Sequence, residues 1–213
     1  MCIRDSNSAD FTALALAVVR GNFEAAKLLL QNGSDIDIRM GDGETLLIIT
    51  VRNNDLEALK WVMRAQADPN AHAGDGFTAL QSATDWKLIE IIRSLADFGV
   101  NLNDPGGNGH PPLVLAAAKN SPDTVAVLLN LGANVNEQAN DGWTALHWAV
   151  NRQLSANIVL LLKRCARIDI KGDDGRTPLS LARLTGDRSL VKLLKSGAKT
   201  CRREPAVSKT QVD

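Results

Sequence analysis

The stretch Asp141–Asp169, DGWTALHWAVNRQLSANIVLLLKRCARID, is the unit that the rest of the chain repeats. Thr144 is its anchor. Steps of 33 residues from Thr144 reach Thr177 in one direction and Pro111, Thr78, Thr45 and Thr12 in the other. Two positions beyond each anchor stands a leucine: Leu14, Leu47, Leu80, Leu113, Leu146 and Leu179. A fixed period held through six units, with no insertion between anchors, is the signature of a stacked helical array. One such unit cannot bury its apolar face alone and leans on its neighbours.

Each unit is built from the same parts. Ahead of the anchor come the dipeptides Asp42-Gly43, Asp75-Gly76, Asn108-Gly109, Asp141-Gly142 and Asp174-Gly175. These residue types tolerate positive φ, so they predict the tips of hairpin-like fingers. The anchor threonine N-caps a short helix, with Pro112 or Pro178 in the first turn, where a missing N–H costs little. Asn22, Asp55, Leu88, Ser121, Leu154 and Asp187 then start a second helix. Its apolar pairs Ala26/Leu29, Leu59/Val62, Ile92/Leu95, Val125/Leu128, Ile158/Leu161 and Val191/Leu194 share one face, directed at the first helix. Ala17, Thr50, Ala83, Ala116, Ala149 and Ala182 are small enough for neighbouring units to approach. Gly33, Gly99 and Gly132 supply a left-handed residue after the second helix. Gln66 and Cys165 stand in that place elsewhere, at a cost of about 1 kcal/mol each.

Thr144-Ala145-Leu146-His147-x-Ala149 and Thr177-Pro178-Leu179-x-x-Ala182 resemble the T-P-L-H-x-A core of the ankyrin repeat, and Gly132-Ala133-Asn134-Val135-Asn136 resembles its closing segment. The resemblance implies an all-α solenoid of stacked helix-turn-helix units with β-hairpin-like loops. It covers residues 9–199, in units of 9–39, 40–72, 73–105, 106–138, 139–171 and 172–199. Residues 1–8 lie outside the repeat; MCIRDS resembles a sequencing-adapter read-through. Residues 200–213 are polar and aperiodic, and are expected to be disordered. The units at 40–72 and 73–104 depart furthest from the pattern, with Leu46, Thr50 and Lys87 in unusual places, and are the expected softer middle. The last unit reads as a cap: its second helix is polar and reaches Gly197 one residue early. Phe11–Val19 is almost continuously apolar, which points to an array that begins upstream; the expected state is a monomer, with self-association through that face as the alternative.

Composition agrees with a helical core. The chain has 213 residues, 45% of them apolar and only 4% aromatic, with 24 basic residues balancing 24 acidic ones. No bulk charge draws it to nucleic acid or anionic lipid, and no apolar run approaches the roughly 18–20 residues that span a bilayer. Cys2, Cys165 and Cys201 have no metal-ligand spacing and no even framework, and no secretory signal is visible. That usage fits a reducing compartment, so the expected location is the cytoplasm.

Little in the sequence suggests catalysis. G-x-S-x-G and H-E-x-x-H motifs are absent, and Gly106-Gly107-Asn108-Gly109 sits at a finger tip with no Lys-Ser/Thr after it. By the resemblance, His147 hydrogen-bonds within its own finger and helix start. His72 and His110 fall in loops without metal-ligand partners. Cys165 follows Lys163-Arg164 but reads as an inert thiol at a helix end. The expectation is no enzyme, no cofactor and no metal.

The resemblance also implies where a partner lies: on the concave side, against the finger tips and the exposed face of the first helices. The positions just before the anchors read Glu44, Phe77, His110, Trp143 and Arg176; those after the first helices read Arg52-Asn53, Asp85-Trp86, Ala118-Lys119, Asn151-Arg152 and Leu184-Thr185. Arg52, Phe77, Trp86, His110, Lys119, Trp143, Arg152 and Arg176 are the candidate contacts for a protein partner, since half-exposed Trp and Arg most often carry binding energy. Trp61 and Trp148 are expected to be covered and to serve packing. The face holds seven acidic residues, Asp42 among them, against five basic ones, interspersed, which argues against a nucleic-acid stripe. The alternative role is a regulatory or targeting segment of a larger enzyme or channel. Asn70, Asn103 and Asn136 stand where some animal ankyrin repeats are hydroxylated.

Overall fold

Helices begin where the period places them. The computed structural model describes residues 12–41 and 43–201, so Asp42 and the segments 1–11 and 202–213 lie outside the described residues. The chain divides into two compact units, residues 1–112 and 113–213. In the first, short helices α1 (Ala13–Val19), α3 (Leu46–Arg52) and α5 (Ala79–Asp85) alternate with α2 (Phe23–Gln31), α4 (Leu56–Arg64) and α6 (Ile89–Asp97). The second holds α7 (Pro112–Ala118, beginning at the boundary), α8 (Pro122–Leu131), α9 (Ala145–Asn151), α10 (Ser155–Lys163), α11 (Pro178–Leu184) and α12 (Arg188–Cys201). Within each unit the fold is two layers of helices: α3 packs on α5 and α4 on α6 in the first, and α9 on α11 with α10 between α8 and α12 in the second. No strand occurs among the described residues; the fingers carry only the isolated bridges His72–Thr78 and Gln138–Thr144.

The anchors act as caps. The hydroxyls of Thr12, Thr78 and Thr177 accept the N–H groups of Ala15, Gln81 and Ser180 at 3.2, 3.1 and 3.0 Å. Each satisfies a donor that the helix cannot. The four middle apolar pairs of the second helices fill the core, with Leu59, Val62, Ile92, Leu95, Val125, Leu128, Ile158 and Leu161 all at most 1% exposed, whereas Leu29 and Val191 of the first and last pairs are half-buried. Leu46 and Thr50 are equally buried, and the Thr50 hydroxyl is satisfied by the Leu47 carbonyl at 2.7 Å, so neither leaves a defect in α3. Asp187 caps α12 with its carboxylate, whereas Ser121 does not cap α8; its hydroxyl pairs with that of Thr124 at 2.8 Å.

Gln66 and Cys165 adopt the expected left-handed backbone, with φ of 66° and 62°. A second left-handed position, nine residues after each anchor, is a finding of the structure. It is held by Gly21, Asn54, Lys87, Asn120, Gln153 and Gly186, with φ between 51° and 74°. The reason is a shared turn between the two helices: the next N–H reaches back to the carbonyl of the small residue, as in Asp55 to Thr50 (3.0 Å) and Leu154 to Ala149 (2.8 Å).

Three expectations are corrected at the C-terminal end. Gly197 does not end the last helix; α12 runs through it to Cys201. A Cβ there would lie 3.0 Å from the Leu162 side chain, so the glycine marks where α12 crosses close to α10. Cys165 is not an inert thiol: it forms a disulfide with Cys201, Cα to Cα 5.4 Å, and the bridge closes a loop of 36 residues containing α11 and α12. An odd cysteine count concealed one pair, so the count no longer argues for a reducing compartment. Thr200 and Cys201, placed in the polar tail by the sequence, form the last turn of α12. No described helix is long and apolar enough to cross a membrane.

Candidate functional site

Each compact unit presents one cluster of arginine and indole at the end of its first-layer helices. In unit 1–112, Arg52 closes α3. Its guanidinium is ion-paired with Glu44 from the preceding finger, lies 3.5 Å from the Asp75 carboxylate of the next, and stacks over Trp86 at 5.9 Å from the ring centroid. Trp86, the C-cap of α5, is 45% exposed. The guanidinium fork is therefore spent on two carboxylates, and the indole is the open part of this patch.

In unit 113–213 the cluster is larger. Trp143 leaves its finger with its N–H bound to Asp141 at 2.9 Å and its ring against Gly172, where a Cβ would come within 2.5 Å of the indole. It stacks on His147 at 5.6 Å and meets the half-buried Trp148 edge-on at 5.1 Å. Arg152 lies one helical turn beyond Trp148, with its guanidinium 5.3 Å from that ring and an N–H donated to the Ala118 carbonyl at 2.7 Å. That carbonyl ends α7, where the helix dipole favours a cation. Arg152 makes no ion pair among the described residues.

Each unit also holds a buried polar hub three residues into a first-layer helix. In unit 113–213 the hub is His147: its Nδ1 accepts the Thr144 N–H at 3.0 Å, and its Nε2 faces the Arg176 carbonyl at 3.2 Å. These partners fix the neutral tautomer with the proton on Nε2. Burial is the leading cause that holds the His147 pKa below its ordinary value, against the opposing pull of the Arg176 and Ile170 carbonyls. In unit 1–112 a glutamine does the same work. Gln81 Oε1 accepts the Thr78 N–H at 2.8 Å, while Nε2 donates to the carbonyls of Pro105 and His110, both at 2.8 Å. The glycine-rich stretch that follows serves this hub: a Cβ on Gly106 would fall 2.1 Å from Gln81 Oε1.

Of the sequence candidates, Arg52 and Trp86 come together in one unit, and Trp143 and Arg152 in the other. Phe77 is half-buried, with its N–H on Asp75. His110 contributes its carbonyl to Gln81. Arg176 is exposed and paired with Asp174 at 3.7 Å, and Lys119 is exposed beside Ala118. Trp148 is the residue the sequence reading set aside. It is half-exposed and links Trp143 to Arg152, and the i, i+4 spacing of Trp148 and Arg152 was the available signal. Trp61 is also only half-covered, stacked on Phe23 at 5.6 Å. No group of His, Cys, Asp and Glu able to hold a metal ion occurs among the described residues.

Comparison with known proteins follows the same lines. The family model for ankyrin repeats in three copies matches residues 14–106, 47–139, 96–171 and 113–204. The ankyrin repeat domain of Bcl-3, a member of the IkappaB protein family, is 28% identical with a TM-score of 0.82, over 91% of this chain and 86% of that one. An ankyrin repeat domain from Acinetobacter baumannii AYE is 31% identical with a TM-score of 0.74, over 86% of this chain and 96% of that one. Among curated proteins none matches the sequence.

Proposed function

The chain belongs to the ankyrin repeat family, whose members are generally protein–protein interaction modules, and we propose that it is a non-catalytic module that binds a protein partner on its finger and first-layer face. The observation that supports this most directly is the pairing of arginine with exposed or half-exposed indole in both compact units: Arg52 with Trp86, and Arg152 with Trp148 and Trp143. These residue types bury large area at small cost in side-chain freedom, and here their rotamers are already held by neighbours. An array of this kind acts by rigid presentation, so little ordering entropy is lost on association.

The test is capture from a cell lysate by the full chain beside a Trp86→Ala, Trp143→Ala double variant, with circular dichroism showing equal helicity. A protein retained by the first and lost by the second supports the reading. Equal retention moves binding off this face, and no retained protein refutes it.

A further inference from the structure

The two clusters use the same chemistry with opposite electrostatic outcomes. Arg52 is neutralised within its own unit by Glu44 and Asp75. Arg152 is held just as firmly, by the Ala118 carbonyl and the Trp148 ring, but by neutral groups. Of the acidic finger residues in this unit, Asp141 accepts the Trp143 N–H, and Asp174 accepts the Arg176 N–H and pairs with its guanidinium. What this unit leaves without a carboxylate is therefore the guanidinium of an exposed residue, set over an indole and with an N–H edge beyond the one donor given to Ala118. That edge matches a carboxylate, which accepts two parallel N–H bonds from such a fork. Leu184, the last residue of α11, which packs on α9, is 73% exposed and offers an apolar seat.

We infer that the unit 113–213 cluster engages its partner through an aspartate or glutamate side chain set on Arg152, with an apolar side chain of the same partner segment on Leu184. The inference rests on the protein-binding reading and specifies the partner chemistry. Trp148 is the platform: it removes water from one face of the guanidinium, which strengthens the ion pair made on the edge. The patch on unit 1–112 lacks this selectivity, because an incoming carboxylate there meets a guanidinium already shared by two acids.

The experiment selects a displayed library of random heptapeptides on the full chain, then measures chosen peptides by fluorescence anisotropy. Recovered peptides are expected to share one acidic position next to a large apolar residue. Changing that Glu to Gln in the peptide weakens binding about 30-fold or more, as does Arg152→Gln in the protein. Combining the two changes costs little beyond either alone, because both remove one contact. Arg152→Lys retains the charge and a donor for the Ala118 carbonyl but loses the fork, so it recovers binding only in part. Peptides without acidic preference, or binding indifferent to Arg152→Gln while circular dichroism is unchanged, overturn the carboxylate inference and leave the binding reading standing. Failure of both the peptide selection and the lysate capture overturns both.

Discussion

Removing the Cys165–Cys201 bridge tests how the last repeat is held. The bridge closes 36 residues that include both helices of that repeat. In the chain-entropy account, closing a loop of this length removes about 13 cal/mol/K from the unfolded ensemble, or roughly 3.8 kcal/mol at room temperature. The opposing attachment is slender: α12 buries only Leu190 and Leu194 among its described side chains, and crosses α10 at Gly197. Stability in a repeat array is close to a sum over units and their interfaces, so the loss falls on the terminal repeat rather than on the whole chain. The assay is urea unfolding and native-state hydrogen exchange, in a Cys2→Ser background, with and without reductant. Exchange in α11 and α12 is expected to accelerate several hundred-fold on reduction, and the urea transition to gain an early phase at the C-terminal end. A Cys165→Ala, Cys201→Ala variant should behave like the reduced chain in both buffers. Unchanged exchange on reduction, or two titratable thiols under oxidising conditions, would refute the reasoning.

Three further outcomes follow from the buried hubs and the left-handed positions. Because the His147 pKa is lowered by burial, the unfolded state binds more protons between the folded value and about 6.5, so stability falls as pH drops through that window. His147→Gln, copying Gln81, removes this slope, which is read from urea midpoints between pH 5 and 7.5, a range of about 2.5 units. Gly106→Ala drives a Cβ into Gln81 Oε1 and costs about 2–4 kcal/mol from strain and lost hydrogen bonds, whereas Gly132→Ala meets no atom within 4 Å and costs about 1–2 kcal/mol; thermal denaturation separates them. Gln66→Gly relieves a positive φ but adds freedom to the unfolded chain, so its gain is small, about 0.5 kcal/mol, visible as a slight rise in urea midpoint.

Most of the fold was legible because it is written in period. Threonine anchors, Asp-Gly tips and paired apolar positions are local signals, and each recurs often enough to fix the register. Lys87 stood out only as unusual and Gln153 not at all, since no propensity marks either for a left-handed turn; the hydrogen bond to the small residue at the end of the first-layer helix imposes it. Gly197 misled because glycine serves both as a helix stop and as a close contact, and only the position of Leu162 decides between them. The Cys165–Cys201 pair was invisible because it depends on α12 running one turn further than the pattern allows. In the candidate site, Arg52, Trp86, Trp143 and Arg152 were reachable from position alone. The ion pairing of Arg52 was not, since its meeting with Glu44 and Asp75 is a matter of three-dimensional neighbours.

The fingers touch through their main chains. Gly107 N–H binds the Gly76 carbonyl at 2.8 Å in one unit, and Asp173 N–H binds the Asp141 carbonyl at 3.0 Å in the other. Spacing between adjacent tips is thus fixed by main-chain contacts that glycine permits, as where Gly107 lies against Gly76, while exposed residues just before an anchor, such as Arg176, project from that frame. Such a surface evolves readily. Recognition residues away from the close-packed tip glycines are free to drift toward a new partner, but a single inserted residue at a tip would break the main-chain contact, so the tips are closed to changes of length.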